Sequence, residues 1–186
     1  MSEASDADLM VQTRSGDRQA FSRLVDRHKD GVVRALTRVC GSHAQAEDLA
    51  QEVFISLFHD AQRYQERGQL RSYLLRLGVN RLRSEYRREQ RRALLRALWL
   101  PSGNGGPPTA PEPEQLVGES QRQLTAALEG LPLTFRVPLV LHVVEGLPYD
   151  EIAQVVGCRV GTVKSRIHRG REQLRRSLEP YFGERT

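Results

Sequence analysis

Apolar side chains recur every three or four residues along two early parts of this sequence, and that spacing predicts amphipathic helices. The first helix lies between Asp17, whose carboxylate can cap its first turn, and Gly41, which ends it. The second starts from a predicted capping box of Ser42 and Gln45. The repeating positions are Phe21, Leu24, Val25, His28, Val32, Ala35, Leu36 and Val39 in the first helix, and Ala46, Leu49, Ala50, Val53, Phe54, Leu57 and Phe58 in the second.

The polar face of the second helix is acidic, although the chain as a whole has a formal net charge of +5. Phosphate would repel such a face, so we expect it to contact a protein and not a nucleic acid. Its members are Glu47, Asp48, Gln51 and Glu52.

A third helix is predicted from near Leu70 to near Trp99, with an arginine-rich second half. Seven arginines and two glutamates lie between Arg81 and Arg96. Tyrosines at the edges of this surface suit the binding of unpaired bases, because rings stack on bases while guanidinium groups hold the backbone. The same pattern also fits a solvated charged helix with core tyrosines. The tyrosines are Tyr64, Tyr73 and Tyr86.

The C-terminal part has the pattern of a helix-turn-helix. A short helix is predicted over 149–156 and a longer one over 160–178, with Gly157 free to take the positive φ of the turn. The internal contact of the pair falls on Ile152, Ala153, Val156, Val163 and Ile167. The outward face of the second helix can read base edges and hold phosphates, although an ordinary basic helical hairpin would share this pattern. Its polar members are Thr162, Lys164, Ser165, Arg166, His168, Arg169 and Arg171.

The two helical parts are separated by a stretch that cannot sustain a helix or a strand. Residues 101–113 read PSGNGGPPTAPEP, with five prolines and three glycines. Neither part shows strand alternation, so we predict an all-α chain of two small helical domains joined by a flexible Pro/Gly-rich linker. The predicted boundaries are 1–98, a linker at 99–116, and 117–186.

Charge and composition narrow the function classes. Seven basic residues and one glutamate lie between Arg159 and Arg176, so there are two separated basic surfaces, which predicts two contacts with nucleic acid. The cysteines Cys40 and Cys158 have no CxxC partner and no histidine at ligand spacing, so we expect reduced thiols, no metal and no cofactor. No signal-like or membrane-spanning stretch is present, which favours the cytoplasm. We find no clustered carboxylates and no nucleophile with a base, so no catalytic residue is predicted.

Three segments resemble the extracytoplasmic-function (ECF) group of the sigma-70 family: AEDLAQEVF from Ala46, LRSYLLRLGVNRLRSEYRR from Leu70, and the run from Leu128 to Arg176. The resemblance implies an initiation factor that directs RNA polymerase to promoters and melts DNA there, and it implies an anti-sigma partner. It implies that the coiled coil of the polymerase's largest subunit meets Asp48, Gln51, Glu52 and Ile55.

The resemblance also implies two DNA readers. The stretch from Tyr64 to Arg83 is similar to the part that captures the minus-ten element, with Tyr73, Arg76 and Asn80 on bases and Arg83 and Arg87 on phosphates. The helix from Val160 is similar to the reader of the minus-thirty-five element, on the seven polar residues named above from Thr162 to Arg171.

Some features depart from the family or leave alternatives open. Tyr73 stands where a tryptophan is frequent, and His168 where other side chains are common. Pro138 is expected to start or kink a helix, because it donates no backbone hydrogen bond. A stand-alone helix-turn-helix regulator remains the main alternative function, and a nuclease is a third.

Overall fold

The computed structural model describes residues 4–65, 69–99 and 118–182, and these residues form eight α-helices and no strand. The predicted all-α fold is confirmed. The predicted linker, apart from its first residue, lies outside the described residues. The helices are α1 (Asp6–Arg14), α2 (Arg18–Cys40), α3 (His43–His59), α4 (Leu70–Trp99), α5 (Glu119–Glu129), α6 (Leu133–Val143), α7 (Tyr149–Val156) and α8 (Val160–Phe182).

The ends of α2 follow the predicted signals. The Asp17 carboxylate accepts hydrogen bonds from the backbone amides of Gln19 and Ala20 at 2.8 and 3.2 Å. At the other end, Gly41 takes the left-handed conformation with φ 84°, and its amide donates to the Thr37 carbonyl. Both predicted caps are confirmed.

The capping box predicted for α3 is only half formed. The Ser42 hydroxyl accepts from the Gln45 amide at 3.3 Å, but the Gln45 side chain donates to the Glu85 carboxylate of α4 at 3.1 Å instead of returning to Ser42. The hydrogen bond to the charged Glu85 acceptor turns the Gln45 side chain toward α4, so its carbonyl oxygen does not accept from the Ser42 backbone amide. A complete box stands at Ser5 and Asp8, which begin α1, a helix that the apolar pattern did not predict.

Helices α1 to α4 enclose one apolar core. Every one of the apolar positions predicted for α2 and α3 is buried or partly buried except Phe58, which is 40% exposed. Leu24 and Leu36 of α2 pack with Leu49 of α3 and Leu74 of α4, and all four are essentially inaccessible to solvent. This packing buries one face of α4 in the core. The opposite face of α4 remains available for contacts outside the core.

Helices α5 to α8 form the C-terminal domain, and α7 has the predicted bounds. Gly157 ends α7 with φ 67°, which allows the sharp turn into α8. Pro138 does not start α6, which begins at Leu133 with Pro132 at its N-cap and holds Pro138 in its interior. A kink at Pro138 stays a prediction. Helix α8 continues to Phe182, past the predicted end at residue 178, with Pro180 in its last turns.

The two domains pack against each other in this structure. Glu145, which follows α6, has a side chain only 6% exposed, and its carboxylate binds Arg38 of α2 at 2.9 Å and Arg71 of α4 at 2.5 Å. Ser72 of α4 donates to the Glu151 carboxylate of α7. These contacts place α7 against the first turns of α4, beside the predicted minus-ten residues.

A second anchor joins the domains at the end of α2. The Arg136 guanidinium of α6 donates to the Val39 carbonyl at 2.9 Å, to the Leu131 carbonyl at 3.0 and 3.2 Å, and to the Glu129 carbonyl. Burial lowers the pKa of Arg136 from its ordinary value because the charged form loses hydration. The arginine therefore ties the α5–α6 turn to the C-terminal end of α2.

Candidate protein and nucleic-acid interfaces

An open groove of about 690 Å³ runs between α2 and α3. Its floor is aromatic: Phe21 and Phe58 meet edge to face with ring centroids 5.0 Å apart. Three of the four predicted polymerase-contacting residues line it, namely Asp48, Gln51 and Ile55. Ile55 is 49% exposed and Phe58 40% exposed, so the groove has an apolar floor, and its rim carries Glu47 and Asp48 together with Lys29.

Glu52 is the predicted polymerase contact that lies outside the groove. Its carboxylate forms an ion pair with Arg81 of α4, whose guanidinium also donates to Ser56. Since both side chains of the pair are roughly half exposed, the pair is weak and can be exchanged for a partner's charge. Spacing along α3 does not explain the split, because Glu52 lies four residues after Asp48 and three before Ile55. The ion pair with Arg81 holds the Glu52 side chain toward α4.

The predicted minus-ten residues of α4 form one continuous stripe, since they alternate three- and four-residue steps along the helix. Arg76, Asn80 and Arg87 are exposed, whereas Tyr73 and Arg83 are partly buried. The structure therefore brings the five α4 residues together on one face. Asn80 lies at the centre of that face with its side chain open to solvent.

Tyr64 occupies a supporting position instead of an exposed one. It is 5% exposed, and its ring packs edge to face on Tyr73 with the centroids 4.9 Å apart. Burial raises the pKa of the Tyr73 phenol, with a further contribution from the Asp60 carboxylate. Tyr64 thus fixes Tyr73, and Tyr73 presents the more accessible ring.

A small cavity of about 250 Å³ adjoins these two tyrosines, and both domains contribute to its wall. Besides Tyr64, Tyr73 and Arg76, it is lined by polar residues that the sequence reasoning did not select. Four of them lie before or at the start of α4, and Gln154 lies on α7. Nothing in their spacing marked them. They are Arg63, Gln65, Gln69, Ser72 and Gln154.

Arg83 is held by the C-terminal domain. Its guanidinium donates to the Val156 carbonyl, at the C-terminal end of α7, at 2.9 Å. That end of a helix carries partial negative charge and attracts cations. Desolvation lowers the pKa of Arg83, and repulsion from Arg166 adds to the shift. One predicted phosphate contact is therefore occupied in this arrangement.

The outward face of α8 is open. Lys164, Ser165, His168, Arg169 and Arg171 are exposed, whereas Thr162 and Arg166 are partly buried. Beneath them, Val163 and Ile167 pack on Ile152 and Val156 of α7, as predicted for the helix pair. The buried stripe orients the helix so that its basic face points away from the domain.

Two of the predicted α8 readers also make contacts within the domain. The Lys164 ammonium lies 5.7 Å from the centre of the Tyr149 ring, a cation–π distance. Arg166 donates to the Cys158 sulfur at 3.7 Å. These contacts orient both side chains around the turn between α7 and α8.

The described parts of the chain carry no metal cluster and no membrane-spanning helix. Within residues 4–65, 69–99 and 118–182, no group of three His, Cys, Asp or Glu side chains could hold a metal ion. No helix in those ranges is long and apolar enough to cross a membrane. Cys40 and Cys158 are both free thiols, and burial raises the pKa of Cys40.

Comparison with known proteins identifies the family. Sequence models described as sigma-70 region 2 and sigma-70 region 4 match residues 24–92 and 121–174. The chain is 31% identical to the ECF RNA polymerase sigma-E factor of Escherichia coli strain K12, over 96% of each protein. The chain belongs to the ECF group of the sigma-70 family.

A further ECF sigma factor is similar in sequence, and two solved structures share the fold. The ECF sigma factor SigE of Mycolicibacterium smegmatis is 40% identical over 91% of this chain and 67% of its own length. The structure of CnrH in complex with the cytosolic domain of CnrY has a TM-score of 0.66, with 26% identity over 94% of this chain and 97% of that one. The Bartonella quintana sigma factor RpoE, solved with the anti-sigma factor NepR, shares the fold, with a TM-score of 0.70 and 22% identity over 86% and 96% of the two chains.

Membership in the family settles the general function. The chain is an RNA polymerase-binding, promoter-specific transcription initiation factor. A stand-alone helix-turn-helix regulator is not favoured, because the matched regions include sigma-70 region 2 as well as sigma-70 region 4.

Proposed function

We propose that this ECF sigma factor divides its work among three surfaces on two domains. Residues 1–98 bind core RNA polymerase and the minus-ten element, residues 117–186 bind the minus-thirty-five element, and residues 99–116 link them. The observation that supports this division most strongly is the separation of charge. An apolar groove lies between α2 and the acidic face of α3, and cationic faces lie on α4 and α8.

The groove suits a helical protein partner. Ile55 and the Phe21–Phe58 pair can bury apolar side chains, while Asp48 and Gln51 can pair with polar groups at the rim. Glu52 joins this contact by exchanging Arg81 for a cation of the polymerase. We assign the largest-subunit coiled coil as the occupant, following the family resemblance.

The stripe on α4 suits capture of unpaired bases. Tyr73 offers a partly exposed ring supported by Tyr64, Asn80 can hydrogen-bond a base edge, and Arg76 and Arg87 are free to hold the backbone. Arg83 joins the set once it leaves the Val156 carbonyl. Stacking on the captured bases offsets an unstacking cost of about a few kcal/mol per base.

The face of α8 suits the major groove of duplex DNA. Its exposed basic and polar residues lie in the first four turns of the helix, where base-edge contacts are made, and the seven predicted residues from Thr162 to Arg171 carry them. Because one chain holds both readers, binding at one element raises the effective concentration of the other, so two weak readers jointly specify a promoter.

We propose that the protein acts in the cytoplasm without a cofactor or a catalytic residue of its own, and that phosphodiester synthesis belongs to the polymerase. An anti-sigma factor is the expected restraining partner. The support is fold similarity to CnrH and to the Bartonella RpoE, whose structures hold the cytosolic domain of CnrY and the anti-sigma factor NepR.

Run-off transcription with purified core polymerase on genomic fragments tests this proposal. We expect discrete transcripts that require the purified chain, and their start sites define the promoter elements. Tight binding of duplex promoter DNA by the chain alone, with no promoter-specific transcripts, would support a stand-alone regulator instead. Cleavage of DNA that depends on a divalent ion would support a nuclease.

A further inference from the structure

Arg14, the last residue of α1, reaches across to the turn that precedes α4. Its Nε donates to the Ala61 carbonyl at 3.0 Å, and its guanidinium also donates to the Tyr64 carbonyl. The Gln62 side-chain amide donates back to the Arg14 carbonyl at 2.7 Å. Three hydrogen bonds in two directions therefore join the end of α1 to the 61–64 turn.

Helix α1 is itself fixed against the rest of the domain, so its hydrogen bonds also fix the position of the 61–64 turn. Leu9 and Met10 are fully buried in the core. At the start of the helix, the Asp6 carboxylate binds Arg27 at 2.6 Å and His28 at 2.7 Å, both on α2. A helix fixed at its start and along its inner face presents the Arg14 fork from a defined position.

The 61–64 turn carries the aromatic support of the minus-ten face. Tyr64 lies at its end and packs against Tyr73 of α4. A shift of the Tyr64 backbone would move its ring, and with it the ring that Tyr73 presents. The contacts thus run without a gap from Arg14 through the turn to Tyr64 and Tyr73.

We propose that Arg14 is a positioning residue for base capture at the minus-ten element. This inference rests on the proposed function of Tyr73 and Asn80. An arginine suits the role because its planar fork can donate to two carbonyls at once, whereas a lysine ammonium is a single point of charge. The guanidinium acts on the backbone of the turn and does not contact DNA.

The test uses holoenzyme and the promoter fragment recovered by run-off, with 2-aminopurine in the non-template strand of the minus-ten element. Its fluorescence rises when the base unstacks. For Arg14→Ala we expect a loss of about tenfold or more in affinity for this strand, equal to about 1.4 kcal/mol. Arg14→Lys should restore little of the loss, and Gln62→Ala should show a smaller loss in the same direction. Arg18→Ala, an exposed arginine at the start of α2, is the matched control.

Three controls separate positioning from other roles. Core-polymerase affinity and thermal stability should stay close to wild type in Arg14→Lys and Gln62→Ala, since a merely structural defect would lower both. The salt slope should be unchanged, because removing a phosphate contact reduces it by about one. Wild-type affinity of Arg14→Ala for the non-template strand, rescue of that affinity by lysine, or a lower salt slope would each overturn the inference about Arg14. None of these results would affect the proposed function. A wild-type holoenzyme that unstacks no base would overturn the proposed function as well.

Discussion

The two basic helices of this ECF sigma factor have similar composition but different surroundings. The proposed reading face of α8 projects away from its domain with five of its seven predicted residues exposed. The proposed reading face of α4 lies beside α7 of the other domain, and one of its guanidinium groups, that of Arg83, is bound to the Val156 carbonyl. Basic composition alone therefore does not tell whether a helix is available to DNA.

The difference has an electrostatic origin at the end of α7. Its C-terminal carbonyls attract cations, and Arg83 of α4 and Arg166 of α8 converge there. The two cations repel each other, so this contact is less favourable than a single cation would make it. The carboxylates of Glu145 and Glu151 supply the compensating attraction between the domains.

The largest expected effect is from Glu145→Ala. This change should release the basic face of α4 from the C-terminal domain and so remove the difference between α4 and α8. Two guanidinium groups lose their shared, nearly buried carboxylate, and we expect the packed arrangement to lose about 3 kcal/mol, roughly 1.5 kcal/mol for each of the two charge-assisted hydrogen bonds. Small-angle scattering should show a larger radius of gyration for the free chain.

Glu119→Ala is the control for this change. Glu119 is 72% exposed and pairs only loosely with Arg122, at 3.8 Å. Its removal should leave the radius unchanged. Equal radii for wild type and Glu145→Ala would show that the carboxylate does not hold the domains together.

Asn80→Ala tests the exposed centre of the α4 face. We expect open-complex formation to fall by about 30-fold, close to 2 kcal/mol, if the amide hydrogen-bonds a base edge. Binding to core polymerase should be intact, because Asn80 lies away from the α2–α3 groove. The control is Gln90→Ala, which removes an exposed amide farther along the same helix and should have little effect. If Asn80→Ala lost core binding as much as open-complex formation, the assignment of Asn80 to base capture would be refuted.

How far the sequence predicts this molecule depends on whether a feature is local. The α2 caps at Asp17 and Gly41, the α7 bounds and the Gly157 turn follow from residues a few positions apart, and all were predicted correctly. Glu145 carried no such signal, since its two arginine partners are 74 and 107 residues away. The same holds for the buried place of Tyr64, which depends on Tyr73 and on α1.

Predictions that are only partly correct show the same limit. The sequence predicts that Gln45 completes a capping box, but its side chain donates instead to a carboxylate on α4. Glu52 was grouped with Asp48 and Gln51 because all three are polar on one helix, and only the tertiary structure reveals that Arg81 binds it. A pattern along one helix identifies a face, whereas the neighbouring helices decide which of its residues remain available.

Arg169→Ala tests whether the exposed face of α8 contacts bases or only phosphates. If Arg169 reads a base, binding to the minus-thirty-five element should weaken by about 1–3 kcal/mol, and the preference at one base position should relax. If it touches only phosphate, the loss should be similar for all sequences and the salt slope should fall by about one. Competition binding with holoenzyme on wild-type and single-base variant promoters measures both. Arg175→Ala, an exposed arginine farther along α8, is the control and should not change base preference.

The smallest expected effect is from Gly157→Ala, which tests how the open α8 face is oriented. A side chain at φ 67° has no steric neighbour within 4 Å, so the cost comes from the left-handed backbone alone, about 1 kcal/mol or slightly more. We expect thermal unfolding to shift down by a few degrees. Gly161→Ala, in the first turn of α8 and also without a neighbour within 4 Å, should be neutral or stabilising, because alanine favours a helix over glycine. Equal stabilities for the two variants would mean that the turn yields without strain, and the orientation of α8 would then depend on the packing of Val163 and Ile167 alone.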